Sequence, residues 1–176
     1  MTPQEMVKRI HKAAGKGCIV VTGAGGKSIS QLLAEPGASH TVLDAQIPYS
    51  RQALEEYVHA LTDQHVSLNE AKLMADSAFH RAQQLATEDG SLFGVGCTAA
   101  VATDRDRKGG DRAYIAWTNG ISRGSYSIWF DKARRSRRDE EDVVSRMVLN
   151  AIAAALGIEG HIRVEILENE RVYESL

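Results

Sequence analysis

The run Cys18-Ile19-Val20-Val21-Thr22-Gly23-Ala24-Gly25-Gly26-Lys27-Ser28 places three glycines, two hydroxyls and a lysine directly after four apolar residues. Glycines let backbone N–H groups approach a ligand closely, and the start of a following helix favours negative charge. The chemistry implied is anion binding. A cation in the first helical turn opposes the helix dipole, so Lys27 is better tolerated there if an anion sits beside it. The same residues also make an ordinary strand-to-helix turn with a solvated lysine.

Gly26-Lys27-Ser28 supplies the last three residues of a G-x-x-x-x-G-K-[ST] phosphate loop, but the position of its first glycine is Val21, inside the strand. The loop is thereby too short for the standard cradle around two phosphates, which leaves a single phosphate at the helix start, with a phosphate-loop nucleotide-binding protein as the less favoured alternative. A second group, Cys97-Thr98-Ala99-Ala100, closes a strand expected to run near the first. Ligands of open α/β sheets lie beyond the carboxyl ends of strands, where Thr98 and the glycine run would meet. Thr98 serves equally well as a turn or helix cap.

The elements that must carry these residues follow from periodicity. Met6, Val7, Ile10 and Ala14 share one face of an N-terminal helix, and Ile29, Leu32 and Leu33 mark a short helix stopped by Pro36-Gly37. Strands are expected at 41–47, 92–102, 113–117 and 125–130, with hairpin spacing between the last two, and 163–167 closes the sheet. Helices are expected near 51–61, from Ser67 to about Leu85 with Ser67 and Glu70 as a reciprocal capping box, and through Val143 to Leu156 behind the acidic run Asp139-Glu140-Glu141-Asp142. An antiparallel hairpin joined to strand–helix–strand units gives a mixed parallel/antiparallel sheet in a single-domain α/β/α sandwich.

At 176 residues, 43% of them hydrophobic and 25% charged, one domain with its own core accounts for the whole chain. No apolar run approaches the roughly 20 residues that cross a bilayer, and the start of the chain lacks the apolar core of a secretory signal, so a cytoplasmic protein is expected. Cys18 and Cys97 form no CxxC or Cys/His group, which leaves buried reduced thiols and no metal or cofactor. His40, His59, His65 and His80 read as surface or packing residues. The net charge of −2 makes nucleic acid an unfavoured partner. Basic residues nevertheless concentrate at Arg105, Arg107, Lys108 and Arg112, and at Lys132 to Arg138, where a docking surface for an acidic partner is the alternative to a solvated loop.

In their order, Val21-Thr22-Gly23-Ala24-Gly25-Gly26, Pro36-Gly37, Tyr49-Ser50, Val66-Ser67 and Cys97-Thr98-Ala99 resemble the C-terminal domain of the CinA competence/damage-inducible proteins, a family that includes nicotinamide mononucleotide amidohydrolases. The resemblance spans residues 5–157. It implies a homo-oligomer that hydrolyses the carboxamide of nicotinamide mononucleotide to the acid and ammonia without a metal. The family's serine nucleophile falls on Thr22, its preceding glutamate on Val21, its lysine on Leu54, and its second glycine-rich loop on the charged segment Asp104 to Asp111. Lys27 is then the remaining cation to act as base toward Thr22. The resemblance further implies that Thr22, Gly25, Gly26, Lys27 and Ser28, with Gly23 beside them, hold the phosphate or ribose of a mononucleotide, that Tyr49 and Ser50 line the base side, and that Thr98 adds a hydroxyl. Because an alcohol is a weak nucleophile until a base takes its proton, loss of the lysine predicts altered or absent amidase activity, with a non-catalytic nucleotide sensor as the other reading.

Overall fold

The computed structural model describes residues 1–104 and 109–175. Thr2 opens α1 (Pro3–Lys12) with a reciprocal cap: its hydroxyl accepts from the Glu5 N–H at 3.1 Å, and its own N–H donates to Glu5 at 2.8 Å. There follow β1 (Gly15–Thr22), α2 (Gly26–Ala34), a 3₁₀ turn at Ala38–His40, β2 (Val42–Gln46), α3 (Arg51–Val58), α4 (Leu68–Leu85), β3 (Ser91–Ala100), β4 (Arg112–Thr118), β5 (Arg123–Trp129), α5 (Arg137–Ala155) and β6 (Arg171–Ser175).

One sheet runs in the order β2-β1-β3-β4-β5-β6. β1 is parallel to both neighbours, and every pairing from β3 outward to β6 is antiparallel. The mixed α/β/α sandwich expected from the sequence is thus present. The alternation of side chains along each strand sorts the core into two layers. Ile19, Val21, Phe93, Val95 and Ile115 meet α1, α2 and α5 on one face, through Met6, Ile10, Leu32, Val144, Val148 and Ile152. Cys18 and Val20 meet Leu54 and Val58 of α3 and Met74, Ala78 and Ala82 of α4 on the other. Each such fully buried aliphatic side chain contributes about 1.5–3 kcal/mol.

The small-residue face of α4 has a direct cause in β3. A Cβ on Gly94 would run into the Ala75 carbonyl and the Phe79 backbone, and one on Gly96 into the backbone around Ala71 and Ala75. Helix and strand therefore touch backbone to backbone, which sets how deeply the carboxyl end of β3 sits. Both cysteines are buried and unpaired, and burial, helped by the Asp44 carboxylate, pushes the Cys18 thiol up to about 12.

Two expected features differ. Residues 163–167 form no strand, because the Asn150 side chain grips the backbone of Ile162 in both directions, at 2.9 and 2.7 Å, and holds the chain against α5. The strand on β5 is the more polar 171–175 instead. At α4 the Ser67 hydroxyl accepts from the Glu70 N–H at 3.1 Å, but the Glu70 carboxylate does not return to the cap; it is buried and accepts from the Thr62 hydroxyl at 2.9 Å, strapping down the loop that follows α3.

Candidate functional site

The glycine run does receive an anion, and the anion belongs to this chain. Gly25, at φ +102°, is the N-cap of α2 and has no side chain to satisfy the free N–H groups of the first turn. The Glu141 carboxylate of α5 takes their place: Gly25 N–H donates to its two oxygens at 3.2 and 2.9 Å, and Lys27 N–H donates at 2.9 Å. The Ser145 hydroxyl donates to the same carboxylate at 2.9 Å and accepts from the Ser28 N–H at 3.2 Å. The Ser28 hydroxyl turns back onto the Gly25 carbonyl at 2.6 Å.

Lys27 follows the same logic. Its ammonium meets Asp142 at 2.6 Å, and Arg146 holds the other oxygen of that carboxylate at 2.9 Å. Burial pushes Asp142 upward, but the hydrogen bonds from Lys27 and Arg146 outweigh it and leave the carboxyl below its usual range. Lys27 lines a groove on the α5 side with Arg135, Asp139 and Arg163. Gly25, Lys27 and Ser28 are therefore built into the α2–α5 seam, and Gly26 between them has open space where a Cβ would stand.

The other site candidates converge elsewhere. Thr22 and Thr98 are register partners at the carboxyl ends of β1 and β3, so their side chains emerge side by side on the α3/α4 face. Together with Gly23, Tyr49, Ser50, Arg51, Leu54, His65, Val66 and Ala99 they line a cleft of about 370 Å³. Gly23 permits the approach, since at φ +82° any Cβ would strike the Ala99 carbonyl. The Ser50 hydroxyl caps α3 by accepting from Ala53 N–H at 3.1 Å. Tyr49 stands two-thirds exposed at the mouth, and its hydroxyl accepts from Arg137 at 3.5 Å. The Thr22 hydroxyl has no hydrogen-bond partner among the described residues.

Leu54 closes the floor, only 2% exposed and packed with Cys18, Val20 and Met74. An apolar side chain thus occupies the position to which the resemblance assigns a lysine.

The cleft also contains groups that periodicity did not single out. His65, read as a surface or packing residue, lines its wall; its Nε2 lies 3.2 Å from Glu55 Oε1, and its carbonyl accepts from the Thr98 hydroxyl at 2.6 Å. Arg51 Nε donates to the same Glu55 oxygen at 3.0 Å. His65 stands two residues before a helix cap in an irregular loop, and the one available signal was its place between two helices that both lead to the sheet edge.

Of the basic clusters, Arg105, Arg107 and Lys108 lie outside the described residues. Arg112 stacks on Trp129 at 5.5 Å and reaches the Val66 carbonyl at 3.5 Å. Arg135 is held by Glu170 at 2.7 Å, with burial and hydrogen bonding where a solvated loop was an alternative. Among the described residues no group of three or more His, Cys, Asp or Glu is placed to hold a metal, and no helix is long and apolar enough to cross a membrane.

Neither a protein-family model nor a curated protein sequence matches the chain. Solved structures do. The competence/damage-inducible protein CihA from Agrobacterium tumefaciens superposes with a TM-score of 0.66 at 18% identity, covering 88% of this chain and 95% of that one. The competence or damage-inducible protein from Enterobacter asburiae gives 0.64 at 17%, covering 89% and 98%. A CinA-superfamily protein from Enterobacter cloacae gives 0.64 at 19%, covering 89% and 92%. This chain shares the fold of these competence/damage-inducible and CinA-like proteins. Nearly the whole length of each of these CinA-like chains is matched.

Proposed function

We propose that the cleft between β1, β3 and α3 binds a mononucleotide that carries a carboxamide, of the nicotinamide mononucleotide type. The observation that carries this reading is the convergence of Thr22, Gly23, Tyr49, Ser50 and Thr98 on one cleft, at the sheet edge where α/β folds take their ligands. Its volume lies within the range that takes small molecules. The α2 N-terminus is already occupied by Glu141, so the ligand phosphate is assigned to the cations at the cleft mouth, Arg51 and Arg137, beside the Tyr49 hydroxyl.

Thr22 supplies the alcohol that the family uses as nucleophile, with a methyl group that restricts its rotation. Hydrolysis assisted by a lysine on α3 is lost, because Leu54 is sealed in the core. Calorimetric titration with nicotinamide mononucleotide and with its acid tests the binding step. Ammonia release from a panel of nucleotide amides tests turnover. Binding without turnover would favour a nucleotide sensor; no binding of either compound would overturn the reading.

A further inference from the structure

We propose that His65, oriented by Glu55, is the proton acceptor for the Thr22 hydroxyl in this cleft. The inference rests on the reading above only in taking the cleft as the reactive site. Three groups connect the sheet edge to α3. Thr22 presents a hydroxyl without a partner among the described residues, His65 lines the same cleft, and the Glu55 carboxylate lies 3.2 Å from His65 Nε2.

Glu55 is itself fixed by Arg51 at 3.0 Å, one helical turn away. The His65 backbone is fixed by the Thr98 hydroxyl at 2.6 Å, and Arg112 from β4 holds the next carbonyl, that of Val66. The charged group in contact with the ring among the described residues is thus Glu55 on α3, with Arg51 behind it, while Arg112 on the sheet side reaches the backbone of the next residue. A carboxylate at Nε2 selects the tautomer with the proton there, which leaves Nδ1 as a free base on the other side of the ring. A third group that orients a base toward an alcohol is the general requirement for an activated nucleophile.

The reaction is acyl transfer. The Thr22 Oγ adds to the acyl carbon while its proton passes to His65 Nδ1. The bond from carbon to the leaving nitrogen or oxygen then breaks: a nitrogen leaving group departs with the proton from His65, whereas a phenolate departs as the anion and His65 gives its proton to solvent. Water attacks the acyl-threonine ester while giving a proton to His65, and the bond from the acyl carbon to Thr22 Oγ then breaks as His65 returns that proton to Oγ, which releases the acid and restores the free alcohol and the neutral ring. Glu55 stays ionised throughout as a positioning residue. Leu54 then removes a competing cation from beneath the same hydroxyl.

The test uses p-nitrophenyl acetate as acyl donor with the chain of residues 1–176, read as p-nitrophenolate release and as an added acetyl mass on the peptide containing Thr22. Wild type is expected to acetylate there, and Thr22→Ala to lose the adduct. His65→Ala should be slowed about 100-fold, the lower end of what general acid–base catalysis contributes. Added imidazole should restore part of that rate, and Glu55→Gln should cause a smaller loss in the same direction. No adduct on Thr22, an unchanged rate in His65→Ala, or a loss that imidazole does not rescue while the variant keeps its circular dichroism spectrum each overturns the proposal. If His65→Ala unfolds, His65→Gln takes its place under the same criteria. Nucleotide titration is scored separately: acetylation that depends on His65 without nucleotide binding sinks the nucleotide reading alone, and nucleotide binding with His65-independent acetylation sinks this one alone.

Discussion

Removing the Glu141 carboxylate should open the seam between α2 and α5. Glu141→Ala leaves the Gly25 and Lys27 N–H groups and the Ser145 hydroxyl without the acceptor that they share. Gly25 is buried, so its donor stays dry, whereas the backbone of exposed Lys27 reaches water. One buried donor left unsatisfied costs about 1–3 kcal/mol, and a hydrogen bond to a charged group nets about 1.5–3 kcal/mol. Those two figures overlap in what they count, so about 2–4 kcal/mol is expected for Glu141→Ala. Glu141→Gln keeps an acceptor oxygen and the shape but loses the charge at the helix start, an effect of about 0.3–1 kcal/mol.

Urea unfolding is the measurement, with midpoints compared at constant slope. With a slope of about 2 kcal/mol per molar, the alanine variant should lose about 1–2 M in midpoint and the glutamine variant less than half of that. Phosphate supplies a further arm. If the emptied helix start is an anion seat, phosphate should raise the midpoint of Glu141→Ala more than that of wild type, because a ligand of the folded state alone stabilises by mass action. An alanine variant within about 0.5 kcal/mol of wild type, or a glutamine variant as weak as the alanine one, would show that Glu141 does not close the start of α2.

Other outcomes follow from the same geometry. Gly23→Ala should be strongly destabilising, since it combines φ +82° with a collision against Ala99, whereas Gly26→Ala meets nothing within 4 Å and should leave the thermal midpoint within a few degrees of wild type. Leu54→Lys should cost about 2–4 kcal/mol in urea, the scale of lost core packing, and should raise ammonia release from nucleotide amides if the cleft accepts them. Arg135→Met should cost about 3 kcal/mol by leaving the buried Glu170 without its cation. Burial pushes Glu170 up, but Arg135 and the N–H groups of Leu167 and Asp131 outweigh it, so its folded value lies below its unfolded one. That contribution to stability is complete above the ordinary carboxylate range and is lost as pH falls through the depressed folded value; acid unfolding of Arg135→Met should lack part of this slope.

The sheet was legible because β1, β3 and the β4–β5 hairpin carry apolar runs bounded by turn residues, signals local to each segment. The glycine run was legible as an anion seat for the same reason. The identity of the anion was not, because Glu141 lies 116 residues from Gly25, and within its own segment it reads as favourable charge near the start of α5. Only the packing of α2 on α5 assigns it. His65 was hidden in the opposite way: its loop has no period, and its place on the cleft wall is set by the Thr62–Glu70 strap and by the Thr98 hydroxyl. The last strand was misplaced because Arg163 to Leu167 alternates like a strand, while one amide, that of Asn150, decides where the chain departs from α5.

The carboxylate that closes α2 has a consequence for how the chain is assembled. During synthesis from the N-terminus, β1 and α2 emerge long before residue 141, so the start of α2 waits without its acceptor until β3, β4, β5 and the first turns of α5 have been made. Pairings of such long sequence separation form late and slowly. A nascent chain that ends before α5 therefore has an unfinished second helix and an apolar sheet face over Val95 and Ile115 that lacks the cover of α5. The last third of the polypeptide completes the first third, and cooperative folding depends on its arrival.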